Sequence, residues 1–185
     1  MPQASARASL SYHPTSSFEQ GIENKRKEQL VSTTLGDVAS DFGKGLFAGV
    51  AGTAAMTVSS TIEMKLSGRD ASETPAQAAE KVLGVEPKDE QAESEFSNLV
   101  HWGYGTAWGG VRGLLESAGL SGFTATAAHL GLVWGSEQVI LPALNVSAPI
   151  FRYGGKATAT DLLHHVVYAS VTGLAYSYLT RSQSR

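Results

Sequence analysis

The sequence predicts an all-α protein: a four-helix transmembrane bundle behind a polar N-terminal tail. Three observations predict it. Charge is concentrated in residues 1–44, in 63–95 and at the extreme C-terminus, leaving long uncharged windows between. Those windows approach the roughly 20 residues that a helix needs to cross a hydrocarbon core. Within them small residues recur at every fourth position, the spacing that lets helix backbones touch in lipid.

Residues 1–43 carry Ser, Thr, Gln and charge with no sustained apolar period, the composition of a solvated and partly disordered tail. Met1 to Ser17 lacks the apolar stretch of a secretory signal, so insertion is expected through the internal helices. Helix 1 is placed at about 45–63, because Gly45 to Ile62 are eighteen residues without a charge, about 27 Å of helix at the α-helical rise. The polar connection that follows contains Thr74-Pro75-Ala76-Gln77, read as an N-cap, a proline at the first helical position and a capping-box partner. A short surface helix is therefore expected from Pro75 to Leu83, stopped by Gly84 and Pro87. Lys88 to Glu95 reads as a solvated acidic approach to helix 2, placed at about 96–116, with Arg112 near its far end where a long side chain snorkels to the headgroups. The short turn holding Gly119 makes helices 2 and 3 an antiparallel hairpin. Helix 3 is placed at 121–141 and is ended or kinked by Pro142; residues 142–160 read as a loop lying on the membrane surface. Helix 4, 162–180, follows Asp161 as N-cap, and Arg181 closes the bundle domain that began at residue 44, leaving 182–185 as a C-terminal tail.

Composition removes several function classes. A net charge of −3, with no basic run longer than Lys25-Arg26-Lys27, provides no concentrated surface for nucleic acid. The absence of cysteine excludes disulfides, thiolate metal sites and a cysteine nucleophile. No Ser-His-Asp order, phosphate loop or zinc-hydrolase motif occurs, so the reading is non-enzymatic. The partners expected are the lipid bilayer and other membrane protein subunits. With both termini cytoplasmic, the basic residues divide eight against six in favour of that side, which orients the chain as a multi-pass protein of the cell membrane.

The fourfold spacing of small residues names the packing positions: Gly45 and Gly49 on helix 1, Gly105, Gly109 and Gly113 on helix 2, Gly131 and Gly135 on helix 3, and Ala169, Gly173 and Ser177 on helix 4. Helices 2 and 4 also share a pattern, His101-x-x-Tyr104-Gly105 against His165-x-x-Tyr168-Ala169, so the chain reads as a duplicated helical hairpin. The Gly/Ala-rich first helix after Lys44, the His-x-x-Tyr-Gly opening of helix 2, a third helix with Trp134 that ends near Pro142, and the His-x-x-Tyr helix 4 resemble the YagU-like family of small bacterial inner-membrane proteins. The resemblance spans residues 44–180. It implies four spans in the bacterial inner membrane and brings no activity and no site residue.

Alternating helix direction places Glu63, His101, Glu137 and His164 or His165 at one end of the bundle. Two carboxylates with two imidazoles can relay protons or bind a divalent transition metal. His164 and His165 are turned about 100° apart, which makes His165 the inward member of the pair. His129, at mid-helix depth, is the candidate ligand for a haem or a chlorophyll-type pigment. Trp102, Trp108 and Trp134 are expected as interface anchors. The leading functional expectation is a non-catalytic accessory or structural subunit of a larger membrane complex. The alternative is a small transporter, or a proton- or metal-handling protein, built on the Glu/His cluster.

Overall fold

A computed structural model describes residues 17–70 and 72–181. Among these the protein is all-α, with five α-helices, one short 3-10 helix and no strand. The chain falls into two compact units, residues 1–36 and 37–185.

Helix α1 runs Ser17–Ser67, so it begins well before the expected residue 45, and 17–43 is helical where the composition suggested a tail. Residues 1–16 and 182–185 of the expected tails lie outside the described residues. In the first unit the helix is exposed from residue 19 to 28 and carries good helix formers with a Glu23–Lys27 pair at 2.9 Å. That lysine holds the Glu23 carboxyl below its ordinary range. Local propensity makes this segment helical, and hydrophobic periodicity has no part in it.

Helix α2, Thr74–Leu83, is capped by Glu73 rather than Thr74. The shift follows from Pro75, which fixes the first-turn geometry while the Glu73 carbonyl accepts from the Gln77 N–H at 3.0 Å. Gly84 ends the helix with φ +67° and donates to the Glu80 carbonyl at 2.7 Å. Helix α3, Glu90–Ser117, starts earlier than residue 96, because the Asp89 carboxylate accepts from the Ala92 N–H at 2.8 Å and caps it. The acidic run read as an approach is thus its first turn, where carboxylates suit the positive end of the helix. Helix α4, Gly122–Ala143, absorbs Pro142 in its last turn. The loop after it holds a 3-10 turn, Ile150–Arg152, and α5 spans Gly155–Arg181. Asp161, expected as an N-cap, therefore lies inside α5. Gly154, at φ +79°, makes the entry turn instead.

In the second unit α1 and α3 meet backbone to backbone. A Cβ on Gly109 would run into the backbone of Gly45 and Gly49, and a Cβ on Gly49 would lie 2.8 Å from the Gly105 carbonyl oxygen and from the Gly109 Cα. Gly113 fits against the Asp41 carbonyl, and Gly105 against the Thr53 hydroxyl. Gly52 admits Tyr168 and Thr172 of α5, while Gly173 admits Thr126 of α4. Ala169 is buried, and Ser177 donates its hydroxyl to the Gly173 carbonyl at 2.9 Å. The expectation fails on α4: a Cβ on Gly131 or Gly135 meets nothing within 4 Å, because that side of α4 has no neighbouring helix.

The buried residues include Ala48, Val133, Tyr168, Ala169 and Tyr176 and also polar groups. Thr53, Arg112, His129, His164, His165 and Thr172 are buried, whereas Phe47 (75 % exposed), Phe123 (87 %) and Leu174 (72 %) point outward. Val50, Val58 and Ile62 continue the outward apolar surface of α1, as Val139 and Ile140 do on α4. Of the described helices one, residues 34–67 of α1, is long and apolar enough to cross a membrane by length and composition.

Candidate functional site

The end of α1, the start of α3, the end of α4 and the first turns of α5 surround one open cavity of about 1450 Å³. Glu63, His101, Glu137, Asp161, His164 and His165 all line it. The four residues expected at one end of the bundle thus line one cavity, although they are not one cluster.

His165 and Glu137 form the tightest pair, with Nε2 to Oε2 at 3.0 Å. The other ring nitrogen of His165 is committed: Nδ1–H donates to the Asp161 carbonyl at 2.9 Å, one helical turn back. Asp161 Oδ1 lies 3.6 Å from the same nitrogen, and Asp161 Oδ2 accepts from the Trp134 indole N–H at 2.8 Å. Trp134 is therefore a positioning partner of a carboxylate. His164 turns to the other wall, where Nδ1 hydrogen-bonds Ser59 Oγ at 2.9 Å and Nε2 lies 3.9 Å from Glu63 Oε2. Glu63 is held in turn by Arg69 at 2.9 Å. His101 stands apart, its Nε2 3.1 Å from the Thr57 hydroxyl.

Both members of the His164-His165 pair are buried, which corrects the expectation that only His165 turns inward. Helix α5 has α1 on one side and α4 on another, so rings 100° apart each meet a different neighbour. Asp161 and Ser59 were missed by the sequence reading. Asp161 and His165 are four residues apart on one helix face, a legible signal that assigning Asp161 as a cap concealed.

His129 is fully buried, donates Nε2–H to the Trp108 carbonyl at 2.9 Å and lies against Tyr168 with ring centroids 5.5 Å apart. Its remaining nitrogen, Nδ1, is enclosed by protein, so no haem or pigment face reaches it; the ring serves an interhelical hydrogen bond. Arg112 departs from the snorkelling expectation in the same way. It is 1 % exposed, pairs with Glu116 at 2.9 Å and stacks over the Tyr176 ring, 4.5 Å from its centroid. The repeat is broken at this level too: Tyr168 donates its hydroxyl to the Gly105 carbonyl at 2.6 Å, while the matching Tyr104 is exposed and packs edge-on against Trp108.

No family model, no curated protein and no solved structure matches this chain.

Proposed function

We propose that the protein is a non-catalytic integral membrane protein, a small-residue helical bundle acting as an accessory subunit of a larger membrane complex. The observation that carries the reading is exposed apolar side chains together with buried polar ones. Phe47, Val50, Val58, Phe123, Val139 and Leu174 are exposed, while Thr53, Arg112, His129, His164, His165 and Thr172 share the interior with Ala48, Ala125, Val133, Tyr168, Ala169 and Tyr176. In water that arrangement leaves apolar surface hydrated and desolvates polar groups, two unfavourable terms at once. In lipid the outward chains are solvated, and the polar interior supplies interhelical hydrogen bonds. The glycine contacts between α1 and α3 agree, since bare backbones are how helices associate without a hydrophobic driving force. The proposal extends to four spans, about 45–63, 96–116, 121–141 and 162–180, in a bacterial inner membrane, as the likeness to the YagU-like family implies. The test is fractionation of the full-length chain. It should remain in the membrane pellet through an alkaline carbonate wash and copurify with larger partners in mild detergent. A monodisperse helical protein in the detergent-free supernatant would overturn the proposal.

A second reading, cation handling, is favoured by one observation: Glu63, His101, Glu137 and His165 line a single open cavity. The same cavity provides the entry path that an ion site requires.

A further inference from the structure

Resting on this second reading, we infer that Glu137, Asp161 and His165 form a binding site for a divalent first-row transition-metal ion in the cavity wall. One ligand atom from each of the three lies within 4.8 Å of those of the other two. A bound ion with bonds of about 2.0–2.2 Å sets its ligands roughly 3.4 Å apart in tetrahedral geometry, so small side-chain rotations close the set.

Nδ1–H of His165 donates to the Asp161 carbonyl, which can only accept, so Nε2 is the ring atom left to meet a ligand, as N–H in the imidazolium and as a lone pair in the neutral ring. That atom faces a Glu137 carboxylate oxygen at 3.0 Å. A proton on Nε2 completes this contact as an ion pair, and a metal ion taking the place of the proton would have both atoms as ligands. The supporting contacts are those that orient metal ligands elsewhere: a carbonyl fixing the imidazole tautomer, and the Trp134 indole fixing the Asp161 carboxylate at 2.8 Å. A separate observation also points to a ligand. The His164 side chain is 7 % exposed, lines the same cavity, and has an Nε2 without a hydrogen-bond partner, 3.9 Å from Glu63. A buried imidazole nitrogen of this kind normally finds a partner. It offers a further donor to an ion, or to water bound to one, entering between the two walls.

The donor set of one imidazole and two carboxylates, with no thiolate, suits zinc, cobalt, manganese or iron(II) over copper(I). Three protein ligands facing an open cavity leave coordination positions for water or for an exchanging ion.

The test is titration of the chelator-stripped full-length protein in mild detergent with cobalt(II), followed by zinc competition. The expected result is one saturable equivalent per chain, with a visible cobalt spectrum that zinc abolishes. Asp161→Asn and Glu137→Gln should each weaken binding more than about 10-fold, and Trp134→Phe should weaken it about 10-fold by freeing the carboxylate. Asp161 is half-exposed, so its amide variant keeps the test alive should a His165 variant fail to fold. Absence of saturable cobalt and zinc binding, or binding undiminished in Asp161→Asn and Glu137→Gln, overturns the site. These outcomes are separable from the bilayer question: a chain that binds cobalt but is washed from membranes keeps the site and loses the lipid reading, and a chain held in membranes without binding loses the site alone.

Discussion

Tyr168 shows how much one atom distinguishes positions that look alike in the sequence. Tyr104 and Tyr168 share a His-x-x-Tyr context, yet Tyr168 is buried and donates to the Gly105 carbonyl, whereas Tyr104 is exposed. Tyr168→Phe should lower resistance to unfolding in denaturing detergent by about 1 kcal/mol, the net worth of one hydrogen bond, with Tyr104→Phe unchanged. Equal effects from both variants would return the two halves to equivalence. Arg112 follows the same logic of pairing. A buried guanidinium is tolerated because Glu116 and the Tyr176 ring take its charge, which a count of charges along the helix could not reveal.

Between elements, the contact of α1 with α3 depends on the absence of side chains. Gly45, Gly49 and Gly109 leave no room for a Cβ, and the nearest obstacles are backbone atoms that cannot rotate away. Gly109→Val should destabilise the bundle by about 1–3 kcal/mol or prevent α1 from docking. Gly131→Val, on a helix side with nothing within 4 Å, should be near neutral for the isolated chain. The comparison is read by thermal unfolding in detergent, and equal losses at both positions would sink the packing account. The fourfold spacing on all four expected helices was legible in the sequence. Which stripes have a facing helix was not, because spacing places a glycine on a side of its helix and says nothing about what stands opposite.

For the whole molecule, the outward apolar side chains and the polar groups among the buried ones bear on the solvent. The chain has no cysteine, so single-cysteine variants report accessibility without background. Phe47→Cys, Phe123→Cys and Leu174→Cys in native membranes should resist a water-soluble maleimide, since a bilayer excludes the reagent. Lys88→Cys, in the polar connection, should label readily. Rapid labelling of all four would place the outward surface in water and remove the bilayer from the account.

The order of the helices from residue 45 onward and the placing of Glu63, His101, Glu137 and His165 on one cavity follow from uncharged windows and alternating helix direction, whereas the helical stretch 17–43 was read as a tail. The starts of α3 and α5 were misplaced because capping by Asp89 and the entry turn at Gly154 are single-residue events that composition averages away. Three-dimensional packing alone separated His101, resting on Thr57, from His165, resting on Glu137. It also brought Asp161 and Trp134 into the site and enclosed His129 against Trp108. The physical reason is that a side chain's chemistry depends on which atom comes within 3 Å of it, and that atom is usually supplied by a distant part of the chain.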